Sequence, residues 1–191
     1  MPVLTCNQRD TSLTTKALRR ALIAPGIVYG KNLKDPVKIQ VTNSNMAQLM
    51  RSISLGSQVT VEVDGVSYET MLKKVDYVPM SNLVQHVDFQ VLTTGEKIKT
   101  SAPIHFINRD QVSIEGNVQE RLSAIEYEVL PVDIVEFFEV DLSKLVLGGD
   151  IKLQDLDISN DTKFNFITPH NASLVSLVMS KKIEVDIVPE A

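Results

Sequence analysis

The sequence predicts a mainly β protein, with an N-terminal β-barrel that carries two short helices and a C-terminal β-rich domain. Three observations lead to this fold class. Apolar and polar residues alternate with a period of two along much of the chain, only two short stretches favour a helix, and the charge changes sign near the middle. With 191 residues, 43% of them apolar, the chain can bury a core in one large or two small domains.

Strand signals dominate the first half of the chain. A run in which every second residue is apolar buries one face of a strand, and its apolar members are Val59, Val61 and Val63. Asp64-Gly65 follows this run and favours a hairpin turn, because both turn positions need positive φ. Residues 38–41 and 83–92 predict further strands.

Two stretches of the same half predict helices. Thr14-Thr15 can cap a helix over residues 16–23, which Pro25-Gly26 would end. A second helix is expected over residues 46–53, ending near Gly56, with three alternative capping residues: Asn43, Ser44 or Asn45.

The second half predicts strands over residues 97–107, 122–130, 135–142 and 174–188, with a turn at Gly148-Gly149. Thr93, Thr94 and Gly95 interrupt the apolar pattern between the halves. We therefore expect two domains, residues 1–92 and residues 93–191.

The net charge of −5 hides a contrast between these halves. Residues 1–92 hold ten Lys and Arg against seven Asp and Glu, a net charge of +3, whereas residues 93–191 hold nine against seventeen, a net charge of −8. Such asymmetry favours a cationic module beside an acidic one, although scattered solvated charges would give a similar count.

Several classes of protein are not favoured. No apolar run approaches the roughly 20 residues of a membrane helix, and residues 1–10 lack a basic region followed by an apolar block, so we expect no secretory signal. The single cysteine, Cys6, fits a reducing cytoplasm. Phosphate-loop, dinucleotide, zincin and CxxC motifs are absent, so the sequence predicts no cofactor and no metal.

The first predicted helix carries a basic stripe. Lys16, Arg19 and Arg20 stand at positions i, i+3 and i+4, so they project from one face and can neutralise phosphates. An ordinary amphipathic helix with a solvated basic face explains the same spacing.

An enzyme is another possible function of the first half. His86 and Asp88 lie two residues apart on one strand face, as a general base and its orienting carboxylate would. No nucleophile motif accompanies them, so catalysis is disfavoured, and a structure with His86 on a flat exposed face would remove this hydrolase hypothesis.

Four segments resemble a known family in the right order: KALRRALIAPGIVYGK, LVQHVDFQVL, GEKIKTSAPIHFIN and IEYEVLPVDIVEFFEVDLSKLVLGGDIKLQDL. They are similar to the bacterial 5S rRNA-binding large-subunit ribosomal protein twenty-five, in the long form called the general stress protein CTC type. The resemblance implies a structural protein of the large subunit whose first domain docks on the irregular internal loop of 5S rRNA, in the central protuberance.

The resemblance also implies the RNA-binding residues, which in this sequence are Arg9, Lys16, Arg19, Arg20, Tyr29, Gly30, Lys31, Lys73, Lys74, Gln85, His86 and Asp88. Double-helical RNA exposes a shallow minor groove, so shape, phosphates and 2′-hydroxyls are what these groups would read. The acidic second domain would face solvent, a neighbouring ribosomal protein or a few RNA contacts through Lys181-Lys182.

The chain also departs from the family pattern. Thr15, Leu22 and Asp76-Tyr77 stand where other members often carry basic or polar residues, so we expect fewer phosphate contacts and a shallower salt dependence. A stress-related protein that uses the same fold away from the ribosome is the main alternative function. Its absence from large subunits of growing cells would favour that alternative.

Overall fold

A computed structural model describes residues 1–112 and 116–178. Strands dominate this part of the chain, which confirms the mainly β fold class. The strands are β1 (Val3–Gln8), β2 (Ile23–Tyr29), β3 (Val37–Thr42), β4 (Gln58–Val63), β5 (Val66–Tyr77), β6 (Val84–Val91), β7 (Ile98–Ile107), β8 (Asn117–Glu120), β9 (Ala124–Val129), β10 (Phe138–Asp141), β11 (Asp150–Lys152), β12 (Asn165–Phe166) and β13 (Ser173–Val178). The α-helices are α1 (Thr15–Arg20), α2 (Asn43–Met50) and α3 (Arg109–Val112).

The first six strands close into a barrel in the order β1-β3-β2-β6-β5-β4. Most neighbouring pairs are antiparallel, but β1 pairs with β4 and β2 pairs with β6 in parallel. The alternating valines of β4 point inward as predicted and join a core that includes Leu4, Cys6, Val28, Ile39, Leu72, Val87 and Phe89. The predicted barrel with two short helices is therefore confirmed.

The predicted hairpin joins β4 and β5. Asp64 and Gly65 adopt φ values of 48° and 87°, the left-handed conformations that a two-residue turn of this type requires. Val63 pairs with Val66 directly across the turn. The predicted Asp-Gly turn is confirmed.

The end of the first helix was predicted wrongly. Thr14 caps α1 by accepting a hydrogen bond from the Ala17 N–H, but the helix ends at Arg20, and Leu22 takes a positive φ of 57°. Pro25-Gly26 lie inside the barrel strand β2 rather than at a helix end. The parallel pairing of β2 with β6 begins only at Gly26, so the missing N–H of the preceding proline removes none of those pairs.

The start of the second helix also differs from its prediction. Thr42 is the capping residue, because its Oγ1 accepts a hydrogen bond from the Asn45 N–H. Asn43, one of the predicted caps, instead accepts a 2.6 Å hydrogen bond from the Val84 N–H of β6. The helix thus begins three residues earlier than residue 46 and is tied to the barrel at its first turn.

The second half forms a four-stranded sheet in the order β10-β7-β9-β12 and a three-stranded sheet in the order β11-β13-β8. Their shared core includes Ile125, Tyr127, Val129, Phe138, Val140, Leu142, Leu153, Leu174 and Leu177. Of the strand predicted over residues 135–142, only Phe138–Asp141 form a strand, which is β10. The backbone of Val135 bonds to the Tyr127 hydroxyl instead of to a neighbouring strand. The strand expected over residues 174–188 is present as β13, and its part beyond Val178 lies outside the described residues.

The barrel and the second half touch through backbone and side-chain contacts. A Cβ on Gly56 would lie 2.3 Å from the Ser101 carbonyl oxygen of β7, so the two chain segments meet at a position that only glycine fits. Gln58 Nε2 donates to the Pro131 carbonyl oxygen at 2.5 Å. The division into residues 1–92 and 93–191 stays a prediction.

Candidate nucleic-acid interface

A polar groove of about 450 Å³ lies on the outside of the barrel. It brings together side chains from the end of β1, helix α1 and strands β2, β5 and β6. Its lining is Arg9, Thr15, Arg19, Pro25, Val75, Asp76, Tyr77, Gln85 and His86. Four residues singled out from the sequence therefore meet here: Arg9, Arg19, Gln85 and His86.

Helix α1 forms one wall of this groove because one apolar side chain anchors it. Leu18 is 1% exposed, whereas the other residues of the helix are exposed, so the helix lies on the barrel through that single side chain. Arg19 then lines the groove from the last turn, where the partial negative charge of the helix end favours a cation. Lys16 and Arg20 are exposed on the same helix and do not line the groove.

Arg9 contributes a guanidinium that is short of partners. Its backbone N–H donates to the Lys38 carbonyl oxygen at 2.9 Å, which fixes the chain as it leaves β1. Its Nε is buried and has no hydrogen-bond partner in the described part of the chain. An unsatisfied buried guanidinium nitrogen is costly, and a planar guanidinium suits phosphate and carboxylate oxygens. Because Arg9 also lines the groove, its side chain lies where an anionic ligand would bind.

His86 and Asp88 share the outer face of β6. His86 Nδ1 lies 2.8 Å from Asp88 Oδ1. Asp88 Oδ1 is buried and has no hydrogen-bond partner in the described residues. The contact places an imidazole and a carboxylate side by side at the groove.

Lys74 and Asp76 lie on β5 beside this pair. In the sheet register, Lys74 stands opposite Asp88 and Asp76 opposite His86. Lys74 Nζ donates to Asp76 at 3.0 Å, and this hydrogen bond raises the pKa of the lysine. The outer face of β5 and β6 is therefore a mixed patch of one lysine, one imidazole and two carboxylates, not a uniformly basic surface.

Tyr29 and Gly30 lie at the end of β2. Tyr29 stands opposite Gln90, and burial, with a smaller contribution from the charge of Asp88, raises the pKa of its phenol. A Cβ on Gly30 would come within 2.8 Å of the Val91 Cβ, so this glycine allows β2 and β6 to approach closely.

Lys31 and Lys73 are not part of the groove. Lys31 forms an ion pair with Glu96, and Lys73 Nζ donates to the Lys99 carbonyl oxygen at 2.5 Å. Burial lowers the pKa of Lys73. Both lysines lie where the barrel meets β7, so the structure separates them from Arg9 and Arg19.

Sequence reasoning did not assign five of the groove residues: Thr15, Pro25, Val75, Asp76 and Tyr77. The strand period alone could not have found the β5 members, because the β5–β6 register shifts between Leu72 and Lys74 and again between Asp76 and Tyr77.

A flat exposed face at His86 would have removed the hydrolase hypothesis, but His86 lies in a groove. Within residues 1–112 and 116–178, no hydroxyl or thiol forms a hydrogen bond with His86. Cys6 is 3% exposed in the barrel core, where burial raises the pKa of its thiol to about 12.

Residues 1–112 and 116–178 contain no group of three or more His, Cys, Asp or Glu side chains that could hold a metal ion. The same residues form no helix that is long and apolar enough to cross a membrane.

Comparison with known proteins first defines the class of protein. A family model described as the Ribosomal L25p family matches residues 4–89. A second model, described as the C-terminal domain of ribosomal protein TL5, matches residues 97–181. Both halves of the chain are therefore similar to parts of ribosomal proteins.

Curated relatives then identify the family. A large ribosomal subunit protein bL25 from Alkalilimnicola ehrlichii is 34% identical over 179 residues, which cover 90% of this chain and 83% of the relative. Proteins of the same name from Methylobacillus flagellatus and Burkholderia thailandensis are 31% and 32% identical, covering 86% and 96% of this chain and 81% and 88% of the relatives. The chain belongs to the bL25 family of large-subunit ribosomal proteins, and the resemblance found in the sequence is confirmed.

Proposed function

We propose that this protein binds 5S rRNA in the central protuberance of the large subunit, in the cytoplasm, through the groove face of its barrel. The observation that carries the proposal is the meeting of Arg9, Arg19, Gln85 and His86 in one groove. Family membership supplies the ribosomal context.

Different side chains of the groove suit different parts of an RNA molecule. Arg9 and Arg19 are suited to phosphate oxygens, because a guanidinium donates two parallel hydrogen bonds. Gln85 and His86 are suited to minor-groove edges and 2′-hydroxyls, which both donate and accept. Asp88 lies beside His86 and can accept a hydrogen bond from a guanine amino group or a 2′-hydroxyl.

The remaining predicted contacts surround this groove. Lys16 and Arg20 project from α1 toward solvent and suit phosphates at its margin, and Lys74 does so from β5. Tyr29 and Gly30 lie at the end of β2, outside the groove lining. Lys31 and Lys73 would reach RNA only by leaving their present partners. Binding would therefore depend on few charges, in keeping with the net charge of +3 in residues 1–92.

The second half contributes little to RNA binding in this proposal. Its net charge of −8 repels phosphates over most of its surface. The predicted contact through Lys181-Lys182 lies outside the described residues. A neighbouring ribosomal protein is a better-matched partner for this half.

An electrophoretic mobility shift with purified 5S rRNA tests the proposal. We expect the double variant Arg9→Gln/Arg19→Gln to bind at least tenfold more weakly than wild type, because a hydrogen bond to a charged group is worth about 1.5–3 kcal/mol. The matched control is Lys34→Gln/Arg51→Gln, which removes two charges from exposed barrel positions outside the groove.

Equal losses in both double variants would show that bulk charge, and not the groove, binds the RNA. Failure of wild type to shift 5S rRNA at low salt would contradict the proposal altogether. Sedimentation of extracts from growing cells completes the test, since absence of the protein from large subunits would support the stress-related alternative.

A further inference from the structure

A second groove, of about 660 Å³, lies in the acidic half and is separate from the RNA-binding face. Its walls include two edge strands. Strand β10 is the last strand of the four-stranded sheet, and β11 is the last strand of the three-stranded sheet. Among the described residues, Phe138, Glu139 and Val140 form backbone–backbone hydrogen bonds only within their pairing with β7. The groove therefore exposes a strand edge that can accept another strand.

The floor of this groove is apolar and partly exposed. Phe137 is 40% exposed, and the half-buried floor residues are Val135, Ile151, Leu156, Ile158 and Phe164. Along β10, Phe138 and Val140 point into the core, whereas Glu139 and Asp141 point outward. An extended chain beside β10 would thus meet apolar surface with one set of side chains and carboxylates with the alternate set.

The charge of the groove selects its occupant. Five carboxylates and no Lys or Arg line it, the carboxylates being Glu139, Asp141, Asp150, Asp155 and Asp157. Within the described chain, Glu139, Asp150 and Asp157 form no ion pair. RNA and a second copy of this acidic edge would both be repelled, whereas a cationic chain would be attracted.

We propose that this groove binds an extended, basic segment of a partner protein, which adds as a strand to the free edge of β10. Lys or Arg side chains of the segment face Glu139, Asp150 and Asp157, and its alternate apolar side chains rest on the floor. Main-chain hydrogen bonds supply affinity, and the alternating charges and apolar contacts supply selectivity.

Fluorescence anisotropy with a labelled synthetic peptide of alternating Lys and Val tests this proposal on the full chain at low salt. We expect saturable binding to wild type and about tenfold weaker binding to the triple variant Glu139→Gln/Asp150→Asn/Asp157→Asn, because three exposed ion pairs are lost. The control Asp35→Asn/Glu62→Gln/Glu69→Gln removes the same charge from the barrel and should bind as wild type does. The variant Arg9→Gln/Arg19→Gln, which alters the groove on the barrel, should also bind the peptide as wild type does.

Two altered probes test the mode of binding. A Lys-Val peptide N-methylated at alternate residues should bind several-fold more weakly, because it cannot complete the strand pairing. A Glu-Val peptide should not bind. Equal affinity of wild type and the triple variant for the Lys-Val peptide would overturn the proposal. Binding seen only after deletion of residues 179–191 would also overturn it, since the occupant would then be the chain's own C-terminus.

Discussion

Replacing Gly26 with alanine tests the close contact between β2 and β6 that holds the groove face together. A Cβ at this position would lie 2.6 Å from Val87 Cγ1, 2.8 Å from the Val87 carbonyl oxygen and 3.1 Å from Ile39 Cγ1. The valine side chain can rotate, but the carbonyl oxygen belongs to the neighbouring strand, so β2 and β6 must separate. The same separation would move His86 and Asp88, which β6 carries.

The expected loss follows from two opposing effects. Overpacking a tight interior costs about 1–3 kcal/mol, and replacing glycine stiffens the unfolded chain by about 0.4–1 kcal/mol in the opposite direction. We expect a net loss of about 1–2 kcal/mol in the free energy of unfolding. With a urea dependence of roughly 1–3 kcal/mol per molar, the midpoint falls by roughly 1 M.

Urea unfolding measures the loss of stability, and amide hydrogen exchange in β2 and β6 shows whether that loss lies in the barrel. The control is Gly65→Ala, whose Cβ would meet nothing within 4 Å but whose φ of 87° is strained for alanine. That variant should lose stability through turn strain alone and keep its affinity for RNA. A Gly26→Ala protein with the wild-type midpoint and unchanged exchange in β6 would refute the reasoning.

Three further predictions follow from contacts already described. Burial raises the pKa of Cys6 to about 12 from an ordinary value of 9.0, so unfolding above pH 9 releases a proton from this thiol. We therefore expect the urea midpoint of wild type to fall as the pH rises from 9 toward 12, and the midpoint of Cys6→Ala to fall less steeply. Lys31→Gln/Lys73→Gln should change 5S rRNA affinity less than threefold in a mobility shift, because both ammonium groups are engaged at the junction with β7. Asp88→Asn should lower the pKa of Tyr29, as NMR titration of the labelled phenol would show.

Local patterns predicted the barrel wherever a single short-range rule decided the structure. The β4–β5 hairpin follows from alternation and from an Asp-Gly turn that needs no help from the rest of the fold. The cap of α1 is similarly local, since Thr14 bonds to a residue three positions away. Such elements can be predicted because their stabilising contacts are close in sequence.

Elements that depend on distant contacts could not be predicted in this way. Pro25-Gly26 signals a helix end locally, yet the barrel uses this pair inside β2, where Gly26 permits the approach of Val87. Asn43 is a good helix cap by type, but its side chain is occupied by the Val84 N–H. In each case a residue far along the chain decides the outcome.

The candidate groove shows the same limit. The basic residues were identified from the sequence and from the family resemblance, but their grouping was not. Only the folded chain shows that Arg9 and Arg19 line one groove with His86, whereas Lys31 and Lys73 have partners elsewhere. The two register shifts of β5 place Asp76 and Tyr77 in the groove, and no periodic pattern marks such shifts.

The most direct test of the RNA-binding proposal is a salt series of mobility shifts with 5S rRNA and with an unrelated structured RNA of similar length. The proposal predicts tighter binding to 5S rRNA at every salt concentration. It also predicts a shallow dependence of log K on log salt, which becomes shallower by about 1–2 in slope for Arg9→Gln/Arg19→Gln as one or two phosphate contacts are lost. Equal affinity for both RNAs, with the same slope in wild type and variant, would contradict it.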